Sequence, residues 1–210
     1  MDTNFAQLIE KLPHHWQAHF LKTATENPKE SEQRLSLPHV LLSLRDMPYA
    51  RPSGKNTAEA CISQWRGTCS AKHLAAHEWL CLMGYQPQLW MASYIIDFNQ
   101  PYFSDDLRQK TAGFPVYDVH NFLTCDLGHG EIVIDITFPL RLRRHGFPVT
   151  EKWDGRSNFT LCCSPLERIA LKADESADEH KRLWLNTLNS DETLLLREAA
   201  IQEMMQTASS

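Results

Sequence analysis

Two apolar segments joined by a short turn constrain the possible folds of this chain most strongly. Residues 116–126 and 131–138 are rich in β-branched and aromatic residues, and the turn between them contains Gly128. Two such runs separated by a few residues that include glycine are typical of a β-hairpin. We therefore predict two antiparallel strands here. Residues 88–98 have a similar composition and predict a third strand.

Asp135 lies in the middle of the second hairpin strand, among isoleucines. An ionised carboxylate is costly in a core unless it has a partner, and His120 on the first strand is the candidate partner. If paired residue numbers sum to 255, His120 stands directly opposite Asp135, and any odd sum places both on one face. We predict an odd sum, with Ile132, Ile134 and Ile136 on the opposite, apolar face.

Cys69 stands where a loop turns into a helix. The helix is predicted to begin at Thr68 or Cys69, and Gly84 is expected to end it. The free N–H groups and the dipole of a first helical turn favour a thiolate over a thiol. Gly67 allows a close backbone approach, and Lys72 adds a nearby positive charge. This setting predicts a nucleophilic thiol.

A nucleophilic thiol needs a base, and the base needs a group that orients it. Cys69, His120 and Asp135 supply a nucleophile, a base and an orienting carboxylate, in that order along the chain. The oxyanion formed by attack on a carbonyl needs N–H donors. The backbone N–H of Cys69 is the first candidate, and the side chains of Gln64 and Trp65 are candidates for the second.

His73 and His77 compete with His120 for the role of base or as metal ligands. With Cys69 and Cys81 they form a ladder along the helix, and two histidines four residues apart can bind zinc. The glutamate of a metalloprotease motif is missing. We expect His73 to support the first turn by packing and hydrogen bonding, and His77 to be an ordinary helix residue. No metal and no cofactor is expected.

Composition narrows the function class. The formal net charge is -5, and the basic residues are scattered apart from a short run at 141–144, so a nucleic-acid partner is not expected. The six cysteines form no repeated Cys-x-x-Cys pattern and are interpreted as reduced thiols. Neither a signal pattern nor a membrane-spanning apolar run is found, so no membrane partner and a cytoplasmic location are expected.

The chain is predicted to form a single domain over residues 1–210. Its core covers about 57–139, between an N-terminal helical region at 1–56 and a C-terminal strand and helices at 159–207. Residues 48–56 are the clearest connector.

Smaller features mark the two ends of the chain. Pro13 is expected to divide the apolar stretch 3–22 into two short helices. Two helices at roughly 175–189 and 191–207 are predicted to close the chain, and Asp191 is the candidate N-cap of the second.

Three pieces of the chain, in order, resemble the transglutaminase-like branch of the papain-like cysteine enzyme superfamily. Residues 67–73 with the apolar helix that follows resemble its nucleophile helix, residues 120–123 its histidine strand, and residues 133–139 its Asp-x-Thr strand. The resemblance implies an α+β fold in which the nucleophile helix packs on an antiparallel sheet, with flanking N- and C-terminal helices.

The resemblance also implies a reaction. Cys69 would be the nucleophile, His120 the base and acid, and Asp135 the group that orients the histidine. The enzyme would attack an amide, ester or thioester carbonyl of a small-molecule or peptide substrate, with an acyl carrier as a further candidate partner. It would form an acyl-thioester at Cys69 and pass the acyl group to water or an amine. Whether it is a hydrolase or an acyltransferase stays open.

Other interpretations remain. The same fold could be a non-catalytic module that binds a peptide or small molecule, or an acyltransferase like the arylamine N-acetyltransferases, whose signature residues 66–69 match in part. A zinc protein that uses Cys69 and His73 is a third. Trp153, in an irregular loop after the aspartate strand, is the candidate substrate-cleft residue.

Overall fold

The computed structural model of the protein describes residues 12–18, 36–172 and 175–209. The strands are β1 (Gln88–Ile95), β2 (Tyr117–Asp126), β3 (Glu131–Ile134) and β4 (Glu167–Ala170). The helices are α1 (Leu37–Asp46), α2 (Ala58–Gln64), α3 (Cys69–Leu82), α4 (Asp105–Lys110), α5 (Ala177–Leu188) and α6 (Asp191–Ser209), with a 3-10 helix at Leu140–His145. Residues 14–18 are also helical.

The strands form one antiparallel sheet in the order β3-β2-β1-β4. The predicted α+β class is therefore confirmed. Within the described ranges, no helix combines the length and apolar character that crossing a membrane requires.

The β2–β3 hairpin has the predicted parity but not the predicted register. Leu123 pairs with Ile134 and Asp126 pairs with Glu131, so paired numbers sum to 257. The prediction that the sum is odd is confirmed. The predicted sum of 255 was wrong, because the observed pairing is shifted by two residues. The Asp126 carboxylate accepts the N–H of Gly128, and this hydrogen bond helps to fix the turn.

Strand β3 is shorter than the predicted segment 131–138. The Asp135 carboxylate accepts hydrogen bonds from the backbone N–H and the hydroxyl of Thr137, at 3.1 and 2.6 Å. A side chain that binds the backbone two residues onward makes a local turn, which competes with the sheet ladder. The chain therefore leaves the sheet directly after Ile134.

Two apolar clusters of the described residues hold this part of the chain together. The larger one joins α1, α2 and α3 to the sheet and contains the three isoleucines of the predicted apolar face. The smaller one joins α4, the 3-10 helix and α6, and includes Phe103, Leu107, Phe138, Leu142 and Met204.

The ends of the chain agree only in part with expectation. Pro13 precedes the helical residues 14–18, and the rest of the predicted segment 3–22 lies largely outside the described residues. The predicted N-cap at Asp191 was wrong. Helix α6 begins at Asp191 itself, and the hydroxyl of Ser190 accepts the N–H of Thr193 at 3.2 Å.

Candidate active site

His120 and Asp135 form a buried pair. His120 lies on β2, and Asp135 follows β3. In the observed register Phe122 would stand opposite Asp135, so His120 is its diagonal neighbour on the same face. The His120 Nε2 atom lies 2.9 Å from the Asp135 Oδ2 atom, and both residues are buried. His120 and Asp135 therefore share one face of the hairpin, as the strand pattern predicted, but they meet as diagonal neighbours and not directly opposite each other.

Four hydrogen bonds keep the Asp135 carboxylate ionised. Besides His120 and the two groups of Thr137, the backbone N–H of Cys162 donates to Oδ2 at 2.8 Å. Burial raises the pKa of Asp135, but the charge and hydrogen bond of His120 outweigh burial and lower this pKa well below its usual range. Asp135 is thus a fixed negative charge behind the imidazole.

The imidazole of His120 is held in its charged form. Burial lowers the pKa of His120, but Asp135 and the Cys69 sulfur oppose this effect and raise it well above its ordinary value. Because Nε2 faces Asp135, Nδ1 is the nitrogen left to face the thiol. The ring therefore links the carboxylate to the sulfur.

Cys69 is the first residue of α3, as predicted, and only 7% of its surface is exposed. It borders a cavity of about 300 Å³. Burial raises the pKa of the Cys69 thiol, but the Lys181 charge and the His120 hydrogen bond lower it to about 6. The Nζ atom of Lys181 lies 3.5 Å from Sγ. Cys69 is therefore a thiolate near neutral pH.

The sequence predicted that Lys72 supplies the positive charge near Cys69. In the structure Lys72 has a different role. Its side chain is buried, and Nζ donates to the carbonyl oxygens of Arg45 and Met47, at 2.8 and 2.7 Å. Lys72 therefore fastens α3 to the end of α1. The cation at the thiol is Lys181.

His73 supports the site without the free nitrogen that a base needs. Its Nδ1 lies 2.8 Å from the carbonyl oxygen of Cys69, and its Nε2 accepts the N–H of Ile136 at 3.1 Å. The ring is therefore neutral with the proton on Nδ1, and burial lowers its pKa to about 4. The predicted supporting role is confirmed. Because both nitrogens are occupied, His73 does not fit a zinc site.

Cys162 is a site residue that the sequence did not reveal. Its sulfur lies 3.5 Å from Nδ1 and 3.4 Å from Nε2 of His120. The sulfur is thus almost equally far from both ring nitrogens. At these distances a sulfur in the plane of the ring would overlap Cε1, the carbon atom between the two nitrogens. The sulfur therefore lies over the face of the ring. Burial raises the pKa of Cys162 well above its ordinary value. Cys162 lies in an irregular segment, where no periodicity points to it.

The ligand atoms of His120, Asp135 and Cys162 lie within 4.8 Å of one another, close enough to share a metal ion. A histidine binds a metal through an in-plane lone pair. Here Nε2 is occupied by Asp135, and the Cys162 sulfur lies above the ring. The arrangement fits a hydrogen-bonded imidazole better than a metal centre.

The other predicted site residues have contacts elsewhere. The exposed Gln64 side chain accepts the N–H of Ser53 and donates to its carbonyl oxygen. Trp65 caps α2 in a left-handed conformation and packs against the larger cluster. Neither borders the cavity at Cys69, so the structure does not support their predicted oxyanion role.

Trp153 is a core residue instead of a cleft residue. It is buried, packs against Phe159 in the larger cluster, and donates its indole N–H to the carbonyl oxygen of Ser157 at 2.7 Å. Its hydrogen bond and its packing explain why it turns inward.

The site thus brings together a thiol, an imidazole and a carboxylate from α3, β2 and the end of β3. A thiolate at a helix start, next to a charged imidazole held by a carboxylate, can attack a carbonyl carbon. In comparisons with known proteins, no family model, curated protein or solved structure matches this chain.

Proposed function

We propose that this protein is a thiol-dependent acyl-transfer enzyme with Cys69 as the nucleophile. His120 serves as acid and base, and Asp135 orients it. The observation that supports this most is the buried contact between His120 and Asp135 beside a thiol whose pKa is lowered to about 6. A cysteine that only filled core space would have its pKa raised by burial.

The reaction would begin with attack of the Cys69 thiolate on the carbonyl carbon of an amide, ester or thioester. The new C–S bond forms while the carbonyl π electrons move to the oxygen. When this intermediate collapses, the bond to the leaving group breaks, and His120 donates its proton to that group. The product of this half-reaction is an acyl-thioester at Cys69.

The second half-reaction would release the acyl group. Neutral His120 takes a proton from water or an amine as that group attacks the thioester, and the C–S bond breaks to restore the thiolate and the imidazolium. Asp135 stabilises the imidazolium and fixes the ring without taking up the proton, as its lowered pKa requires.

The finer fold assignment belongs to the same proposal. The nucleophile begins a helix that packs on an antiparallel sheet, the histidine lies on the next-to-edge strand, and the aspartate follows the edge strand. These features support a transglutaminase-like domain of the papain-like type. The cavity of about 300 Å³ is at the small end for ligand sites and favours a small acyl group or one side chain of a peptide.

Comparing the wild type with Cys69→Ala on a panel of esters, thioesters and amides tests the proposal. We expect Cys69→Ala to lower turnover by ~10³-fold or more, because the nucleophile is lost. Cys81→Ala is the matched control, since Cys81 is exposed and lies on the same helix. Mass spectrometry of the quenched wild type should find the acyl group on Cys69. Equal turnover by both proteins would instead favour a non-catalytic binding module.

A further inference from the structure

Lys181 is directed into the fold by helix α5. Ala177 and Leu185, one turn before and one turn after it, are both buried, so these three positions share the inward face of the helix. An apolar residue is the usual choice at such a position. Lys181 instead extends an ammonium group to within 3.5 Å of the Cys69 sulfur.

Three of the charged residues that line this cavity, Arg51, Asp118 and Arg197, are held in ion pairs. Asp118 accepts hydrogen bonds from Arg197 at 2.6 Å and from the hydroxyl of Tyr94 at 2.9 Å. Arg51 binds Glu198 at 2.7 Å. Among the residues that the structure describes, Lys181 has no carboxylate at ion-pair distance, and the Cys69 sulfur is the acceptor of its hydrogen bond. Its charge is therefore available to the reacting atoms.

We infer that Lys181 is a catalytic residue that stabilises the oxyanion formed when Cys69 attacks a carbonyl. This inference rests on the proposed acyl-transfer function. During attack the negative charge moves from the sulfur to an oxygen two covalent bonds away. The sulfur becomes neutral, so the ammonium group that faced it now interacts with the oxygen. Lys181 thus takes the place that the sequence had assigned to Gln64 or Trp65.

The surroundings strengthen this interaction. Cys69 is almost fully buried, and a preorganised cation beside a buried reacting atom stabilises a developing negative charge more than water would. The backbone N–H at the start of α3 is a second candidate donor. The neighbouring Ser70 hydroxyl is committed to Asn121, to which it donates at 2.8 Å. Lys181 is therefore the side chain best placed to follow the charge.

Two reactions of the same thiol separate this role from simple thiolate stabilisation. Acylation by p-nitrophenyl acetate passes through an oxyanion, whereas alkylation by iodoacetamide does not. Each rate constant is measured against pH up to the plateau at which Cys69 is fully ionised. We expect Lys181→Met to lower the acylation plateau by ~10²–10³-fold, the cost of losing one oxyanion donor, and to change the alkylation plateau by less than ~3-fold.

Matched variants complete the test. Lys181→Arg should keep most of the acylation rate, and Lys172→Met, which removes an exposed charge outside the cavity that Cys69 borders, should change it by less than ~3-fold. Lys181→Gln repeats the test with a polar side chain if Lys181→Met does not fold. An acylation plateau equal to that of the wild type in Lys181→Met or Lys181→Gln would overturn the inference, as would an equal loss in Lys172→Met. If wild type and Cys69→Ala release p-nitrophenol at the same rate, the proposed function itself fails.

Discussion

The charge state of Cys69 depends on a carboxylate that it does not touch. Lys181 and charged His120 lower the pKa of the thiol, and Asp135 holds His120 in its charged form. Thiolate is therefore the major form above about pH 6, and it is lost as the pH falls through that value. The rate of iodoacetamide alkylation of wild-type Cys69 should rise with a midpoint near pH 6, below the ~8.5 of a free thiol.

Replacing Asp135 with asparagine tests this dependence. Without the carboxylate the pKa of His120 falls, the imidazolium is lost, and the alkylation midpoint of Cys69 should move toward the ordinary thiol value. Turnover should fall by ~10⁴-fold, as expected when the orienting carboxylate of a triad becomes an amide. Asp106→Asn, at an exposed position on α4, is the control. An unchanged midpoint in Asp135→Asn would contradict the charge relation.

His73 should make the fold sensitive to acid. Its pKa is lowered from 6.5 to about 4 in the folded protein, so the unfolded chain binds the proton first as the pH falls. The free energy of unfolding contributed by this group is thus lost between pH 6.5 and 4, by up to about 3 kcal/mol.

The matched variant His73→Asn can still donate to the carbonyl oxygen of Cys69 but cannot titrate. It should be less stable than the wild type at pH 7, because Ile136 loses the acceptor of its N–H. Urea unfolding at pH 6.5 and at pH 4 should show the difference between the two proteins shrinking by about 3 kcal/mol. A constant difference would show that His73 does not carry the acid sensitivity.

The sequence predicted part of the site because two local rules apply to it. The two-residue period of a strand and the cost of a lone buried carboxylate together indicated that Asp135 and His120 share a face. Cys162 and Lys181 follow no such rule, since they reach the site from segments distant in sequence. One signal was available for Lys181, which interrupts the apolar face formed by Ala177 and Leu185 on α5.

At the scale of elements, the loop between α2 and α3 sets the position of the thiol. A Cβ atom added to Gly67 would lie 2.9 Å from both the Sγ of Cys61 and the Cγ of Lys72. The predicted close backbone approach is thus confirmed. Because Cys69 is two residues further on, a shift of this loop moves the nucleophile.

Gly67→Ala should therefore cost about 1–3 kcal/mol in the free energy of unfolding, the usual effect of overpacking. It should also slow acylation of Cys69. In a double-mutant cycle, adding Cys61→Ala should recover part of the stability, because one of the two clashing atoms is removed. Strictly additive losses would show that the loop accepts the extra methyl group in another way.

The ends of elements were predicted less well than the elements themselves. Strand β3 was expected to reach residue 138, because its apolar pattern continues past Asp135. The Thr137 hydrogen bonds to Asp135 end the strand, and side-chain hydrogen bonds of this kind leave no trace in a hydrophobic pattern. The same turn aims the carboxylate at His120. The error in strand length and the geometry of the site therefore have one cause.

At the scale of the whole molecule, β2 connects the larger apolar cluster to the site. It contributes Val119 and Leu123 to the larger cluster and His120 to the site between them. Helix α6 packs in the smaller cluster and is fastened to β2 by the Arg197–Asp118 ion pair. This ion pair is therefore a buried link between α6 and the strand that carries His120.

Two ion pairs of α6 allow the contribution of this buried link to be measured. The Arg197 and Asp118 side chains are 13% and 5% exposed, whereas those of Arg51 and Glu198 are each 41% exposed. Arg197→Met leaves a buried carboxylate without its cation and should cost about 3–5 kcal/mol in the free energy of unfolding. Arg51→Met, the matched control, should cost at most about 1 kcal/mol, because water replaces the lost partner.

Adding Asp118→Asn to Arg197→Met should restore part of the stability, since the unpaired charge is removed while Tyr94 can still donate to the amide oxygen. Urea unfolding of the wild type and the three variants gives these differences directly. Equal costs for Arg197→Met and Arg51→Met would mean that the site end of α6 is open to water. In that case the free energy of interaction between Lys181 and the reacting atoms would be correspondingly small.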